Sequence, residues 1–199
     1  TRCPKRRAPV SVPASPHDRR QWLGWRFERD PRGKKPRKVP YYANGGWRPE
    51  DLRQGEQGSP DDRLRLVTYD EAVGHGLPPE KGGMGFAFLP GDGLIGIDLD
   101  AVIDAETGEI SERARDIIAA CNSYTEYSPS GRGVHIIVAG DTSALFEDGK
   151  AHSFKSNAIG VEVFCGAQYF TFTGQRYSGT PEEVQPIEKR EHATEWTQE

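Results

Sequence analysis

Residues 93–102 read GLIGIDLDAV. The stretch has the apolar character of a strand, yet Asp98 and Asp100 sit inside it. Side chains alternate across a strand. Ile95, Ile97 and Leu99 therefore share one face, and Gly96, Asp98 and Asp100 share the other. The apolar face can bury itself against a helix. The other face presents two carboxylates about one strand repeat apart, roughly 6–7 Å. Burying a carboxylate costs free energy unless something pairs with it, and two at this spacing shift each other's pKa. A divalent cation removes both costs, because Mg2+ and Mn2+ prefer carboxylate oxygen. Pairing with nearby arginines, or capping of a turn, removes them too, and a D-x-D by itself does not choose between these roles.

Working outward, the helix that the apolar face requires follows directly. Ser111 is a capping residue, and Ala114, Ile117, Ile118 and Cys121 recur at i, i+3, i+4 and i+7. Before the acidic strand, MGFAFL (84–89) reads as a strand and PGDG (90–93) as a turn. After the helix, YTEY (124–127) reads as a short strand, SPSGRG (128–133) as a loop and VHIIVA (134–139) as a strand. IGVEVFC (159–165) and QYFTFTG (168–174) read as the two arms of a hairpin. Strands in this number, with one clear helix among them, predict an α+β domain whose sheet is antiparallel or mixed and carries its helices on one face.

The first half is less periodic. RRQWLGWRFE (19–28) suits a strand or a short helix with Trp22, Trp25 and Phe27 in the core. RDPRGKKPRKVPYY (29–42) reads as a basic loop, and residues 43–63 as surface loop. Thr68 with Glu71 three residues later has the spacing of a capping box. The tail after Pro181 is acidic and reads as a helix or a linker.

The formal net charge of −4 conceals an asymmetry. Residues 1–40 hold 13 of the 26 Lys and Arg but only three of the 30 Asp and Glu, leaving 13 basic against 27 acidic residues in the remainder. A basic arm on an acidic body suits contact with a polyanion, or else a solvated tail at residues 1–10. Cys3, Cys121 and Cys165 lie far apart without a CxxC pair, and the five histidines show neither HxH nor HExxH spacing. These spacings argue against a structural zinc site and a disulfide scaffold, and predict a reducing, cytosolic setting. No apolar run approaches the roughly 20 residues that span a bilayer. The chain begins with Thr rather than Met and reads as an excised or processed piece.

Two further stretches strengthen the metal reading of the acids. In VEVF (161–164), Glu162 again places one acid on the face opposite two valines. SPSGRGVHI (128–136) supplies Ser130, Arg132 and His135 around Gly131 and Gly133. Glycines let a backbone approach a ligand closely. Amide N–H groups, a hydroxyl, a guanidinium and an imidazole together suit the oxygens of a triphosphate.

In order, DLD (98–100), SGRGVH (130–135) and VEVF (161–164) resemble the three motifs of the archaeo-eukaryotic primase superfamily. These are an acidic D-x-D, an S-x-H-type nucleotide-binding motif and a third acid on a strand. The nearer likeness is to the prim-pol domains of phage and plasmid replication proteins, with support from SYTEYSPSGRGVHI (123–136), GVEVF and QYFTFTG within 160–174, and KVPY (38–41). It covers roughly residues 20–175. The resemblance implies an RRM-like catalytic core, about 84–180, packed on a smaller N-terminal α/β module, about 19–83. A basic Pro-rich arm (1–18) would precede them, and an acidic tail (181–199) would lead to a further region, often a helicase. It implies template-directed nucleotidyl transfer on single-stranded DNA, making or extending primers from dNTP or NTP, in the cytoplasm of a bacterial or archaeal cell. It also implies that Asp98, Asp100 and Glu162 hold two Mg2+ or Mn2+ ions. Ser130, Gly131, Arg132, Gly133 and His135 would contact the triphosphate, with Lys155 as a further candidate. Lys34, Lys35, Arg37 and Lys38 would grip template or triphosphate. One departure stands at Gln168, where the pattern leads one to expect arginine.

Two rival readings use the same residues. A metal-dependent nuclease would need the carboxylates but no triphosphate cradle. A non-catalytic single-strand binder would stack bases on Tyr169, Phe170 and Phe172, but would have no use for acids that repel phosphate.

Overall fold

The computed structural model describes residues 12–30, 33, 36–46, 48, 57–75, 82–141, 152–156, 160–166 and 168–187. Lys34 and Lys35, residues 1–11 of the basic arm and residues 188–199 of the acidic tail lie outside them. In chain order the elements are α1 (Ala14–His17), β1 (Trp22–Glu28), β2 (Arg37–Tyr41), α2 (Pro60–Arg65), α3 (Tyr69–Gly74), β3 (Gly82–Ala87), β4 (Leu94–Leu99), α4 (Glu112–Cys121), β5 (Thr125–Tyr127), β6 (Val134–Ala139), β7 (His152–Ser156), β8 (Val161–Cys165), β9 (Tyr169–Phe172) and β10 (Gln185–Pro186).

The strands form two sheets among the described residues. One runs β2-β1-β3-β9, and the other runs β10-β6-β4-β8-β7 with β5 paired to β6. Every pairing is antiparallel except that of β10 with β6. The class is therefore α+β, as the sequence predicts.

β4 divides its side chains as the alternation requires. Ile95, Ile97 and Leu99 pack with Ala114, Ile118 and Cys121 of α4, joined by Val134, Ile136 and Val138 of β6. The opposite face of the second sheet meets the first sheet through Leu94, Ile137, Phe164, Trp22, Phe86, Phe170 and Phe172. A further apolar cluster gathers Leu23, Tyr42, Leu66, Ala87 and Leu89. Ser111 caps α4 by accepting from Ala114 N, and Thr68 and Glu71 form the capping box of α3.

Several readings are corrected: residues 37–41, read within a basic loop, form β2, and Phe27, read as core, is 46% exposed. β8 and β9 are not a hairpin: β8 pairs with β4 and β7, whereas β9 crosses to the other sheet and pairs with β3. The chain turns between sheets through left-handed backbone at Gly166 (φ 82°) and Gln168 (φ 73°), so alternation read correctly in each arm said nothing about their partner. β3 pairs with β1 as well as β9, within the first sheet. The end of the stretch read as surface loop, residues 60–63, opens α2, because Ser59 accepts from Asp62 N and Pro60 occupies the first turn. The start of the tail adds the parallel strand β10 beside β6 instead of a helix or a linker.

Candidate active site

Register, more than sequence distance, builds the site. Asp98 on β4 lies opposite His135 on β6 and Glu162 on β8. His135 in turn lies opposite Glu126 on β5, and Glu162 opposite Lys155 on β7. The result is a transverse row of five polar residues, Glu126–His135–Asp98–Glu162–Lys155, on the face that looks toward the first sheet. Two residues back along β4, Gly96 sits between Ile137 and Phe164 in the apolar core. The row thus marks where the sheet-to-sheet core ends and a cleft begins. Gly96 is required there: a Cβ would stand 2.5 Å from Phe88 and 2.6 Å from Phe170.

Asp98, Asp100, Ala101, Lys155, Ser156, Gly160, Val161 and Glu162 line a cleft of about 260 Å³. Asp100 follows the end of β4, and its amide donates to Gly160 O at 3.0 Å. Ala101 beside it holds left-handed backbone (φ 55°), a conformation that costs roughly 1–2 kcal/mol outside glycine and is typical of sites held in place by their surroundings. Burial raises the pKa of Asp98 above its ordinary value, His135 and Lys38 oppose that rise, and the carboxylates of Asp100 and Glu162 add to it. The three acids therefore sense one another electrostatically.

Each acid has a cationic or ionisable neighbour. His135 Nε2 lies 3.8 Å from Asp98 Oδ1, and Lys155 Nζ donates to Glu162 Oε2 at 3.0 Å. That bond raises the Lys155 pKa. Lys38 reaches in from the first sheet and donates to Thr171 Oγ1 at 3.4 Å. Burial lowers its pKa, against the pull of Asp98 and Asp100. Among the described residues, no three His, Cys, Asp or Glu side chains are gathered closely enough to hold an ion as they stand. The donor chemistry nevertheless fits Mg2+ or Mn2+: the acids lining the cleft offer carboxylate oxygen alone, and their mutual repulsion is the kind that a cation relieves.

The SGRG loop packs beside the acids without lining the cleft. Gly131 N donates to Ser128 O at 2.9 Å with φ 69°, and Arg132 N donates to Ser130 Oγ at 3.2 Å. At Gly133 a Cβ would stand 2.5 Å from Leu99 O and 3.4 Å from Asp100 Cα, so only glycine lets the loop press against the end of β4. Ser130 and Arg132 are exposed. Arg132 helps hold the Asp104 carboxyl below its ordinary range, after the backbone and side-chain hydrogen bonds that Glu106 and Thr107 donate to it. Arg37 and Lys38 sit on the edge strand β2, both exposed.

Sequence reasoning missed Glu126. Its side chain is 1% exposed, beside a His135 side chain that is 5% exposed. The signal was present: in YTEY it alternates with buried Thr125 on a strand that pairs with the histidine strand. The register that brings the two together could not be read from the sequence. The stacking platform of the rival binder is excluded: Phe170 and Phe172 are 2% and 5% exposed and belong to the core. Gln168, where arginine was expected, serves the crossover between sheets, and its backbone N–H donates to Gln57 Oε1 at 2.8 Å.

No family model matches the chain. Over 165 residues, 80% of its length, the chain is 32% identical to a protein named DNA primase-polymerase from Nitratiruptor phage NrS-1. It spans about a fifth of that relative's length (20%).

Proposed function

We propose, for a chain that carries a prim-pol domain related to that phage protein, that it synthesises or extends primers on single-stranded DNA by nucleotidyl transfer. The observation that supports this best is the transverse row, which sets Asp98 directly between His135 and Glu162. A nuclease would need the carboxylates but not a histidine and lysines set around them to receive a triphosphate.

In this reading Asp98, Asp100 and Glu162 would hold two Mg2+ or Mn2+ ions, and Lys155, now paired with Glu162, would turn to the phosphates. When bound, the ions supply Lewis-acid activation of the primer 3′-hydroxyl and neutralise charge on the departing pyrophosphate. The residues of the chain do the positioning on which phosphoryl transfer depends. His135 Nε2, on one side of Asp98, and Lys155 Nζ, beyond Glu162 on the other side, orient the triphosphate. Ser130, Arg132 and the amides of Gly131 and Gly133 receive its outer oxygens at the loop beside Asp100. Lys38, already drawn by Asp98 and Asp100, guides nucleotide or template inward from β2, with Arg37, Lys34 and Lys35 gripping template. The sheet of β4, β6 and β8 backed by α4 would be the RRM-like core, and a helicase region would lie elsewhere in a longer protein.

The test is a gel assay on single-stranded DNA template, with and without annealed primer, supplying labelled dNTP or NTP with Mg2+ or Mn2+. Product from the native protein, and none from Asp98→Ala/Asp100→Ala, is the expected result. Equal product from both would overturn the assignment. Product without primer means priming, and product only with primer means extension.

A further inference from the structure

One fully satisfied buried carboxylate among the described residues is not used by this reaction. Glu126 accepts four hydrogen bonds. Oε1 accepts from Thr173 N at 3.0 Å and faces His135 Nδ1 at 3.3 Å, while Oε2 accepts from Gly174 N at 2.7 Å and Tyr124 Oη at 3.1 Å. A carboxylate offers about four lone-pair sites, and here all are occupied. Three of the four partners are backbone or phenol donors, from the residue just before β5 and from the segment after β9. They fix the carboxylate in place whatever the histidine does. An isolated buried carboxylate would be too costly to retain, and this cage of donors offsets that cost.

The fourth partner is the one with a second face to offer. The His135 ring stacks on Phe170, with centroids 4.6 Å apart and planes 16° from parallel. The stacked face fixes the plane of the ring, and within that plane a flip would break the bond to Glu126. Nδ1 thus faces Glu126, and Nε2 faces Asp98, which lines the cleft. Which imidazole nitrogen is free to act is set by the bond that the other makes.

We infer that Glu126 is a positioning residue for nucleotide binding: it accepts from Nδ1–H of His135, so that Nε2, which donates to a triphosphate oxygen when the ring carries both protons, faces the nucleotide. This rests on the nucleotide-binding role proposed for His135. Glu126 itself touches no substrate. It acts as an anchored carboxylate on a two-strand ladder, where Glu126 and His135 face each other in register. Rigid elements locate such a pair more closely than a loop does.

The experiment uses the whole chain in three variants, Glu126→Gln, His135→Ala and the two combined, each checked for folding by circular dichroism. dGTP affinity is measured by titration calorimetry with Mg2+, alongside kcat and KM for dGTP in primer extension. Glu126→Gln should weaken dGTP binding and raise KM by about tenfold, the scale of outer-partner losses, with a smaller change in kcat. The combined variant should bind no more weakly than His135→Ala alone, because both remove one interaction. Full additivity of the two, or native affinity in Glu126→Gln beside weakened binding in His135→Ala, overturns the inference. Native affinity in His135→Ala overturns the nucleotide role of the histidine instead. Should Glu126→Gln fail to fold, 15N spectra of the native protein decide: a proton on Nδ1 of His135 supports the inward bond, and a proton on Nε2 alone overturns it.

Discussion

His135 Nε2 stands 3.8 Å from Asp98 Oδ1, directly across the β4–β6 ladder. This single relationship joins the two stretches that the sequence separates by more than thirty residues. Asp98 is thus flanked by an imidazole on one side and by Glu162 on the other. Its carboxyl is 28% exposed, open to the cleft yet backed by core. Such a group is costly to the fold and available to chemistry, and both consequences can be measured.

On chemistry, Asp98→Ala or Asp100→Ala should lower primer extension by at least about 10²–10³-fold, the scale on which single electrostatic groups act in such reactions. Single-stranded DNA binding, followed by fluorescence anisotropy, should stay nearly native. A parallel loss of both would mean that the acids maintain structure instead.

On stability, Asp98→Asn should make the protein more stable near neutral pH. Burial raises the Asp98 pKa above its usual 3.8, with further rise from Asp100 and Glu162, so its ionisation works against folding. The penalty is absent below the usual value and grows as pH rises through it. The gain reads as a higher Tm for the variant than for the native protein. Thermal melts should show the difference at pH 7 and lose it at a pH below the ordinary carboxylate range. An unchanged difference across that interval would remove the electrostatic explanation.

On binding, affinity for single-stranded DNA should fall steeply with salt, since each phosphate neutralised adds roughly −0.7 to the slope of log affinity against log salt. Arg37→Ala and Lys38→Ala should each weaken binding and reduce that slope by about one phosphate. Affinity that is indifferent to salt would remove β2 from the DNA interface.

On packing, Asp62→Ala should destabilise the protein by about 3–5 kcal/mol, the cost of stranding a buried partner. Arg48 and Asp62 are 0% and 3% exposed and meet through two bonds of 2.7 Å, with Tyr42 Oη donating to the same carboxylate at 2.9 Å. Chemical denaturation measures the change. A loss below about 1 kcal/mol would mean that the cluster is not a support of the fold.

A last variant tests the wall behind the acids. Gly96→Ala places a methyl group 2.5 Å from Phe88 and 2.6 Å from Phe170, and overpacking of this kind typically costs about 1–3 kcal/mol. Because Phe170 also stacks on His135, nucleotide affinity should drop with stability. Native affinity in a destabilised protein would separate the aromatic wall from the histidine.

Local chemistry was legible in the sequence wherever a periodic pattern was decisive. The alternation of GLIGIDLD assigned Ile95, Ile97 and Leu99 to the helix side and the aspartates to the other, and the cores bear this out. Ser111 and Thr68 announced their helices by capping chemistry. The ordered motifs pointed to the prim-pol family before any coordinate did. What a single strand cannot declare is its neighbour. β8 and β9 follow each other closely and look like a hairpin, yet two left-handed residues send them into different sheets. Phe170 is thereby delivered to the ring of His135 from the far side of the core. Glu126 was passed over for the same reason: a lone acid on a short strand carries no sign of the register that sets it against a histidine. The sequence by itself determined which residues face together along each strand, because side-chain alternation is a local property of extended backbone. Only the tertiary structure decided which strands stand side by side, because ladder pairing is set by the packing of two sheets about one aromatic core, and that pairing places the acids, the histidine and its carboxylate in one row.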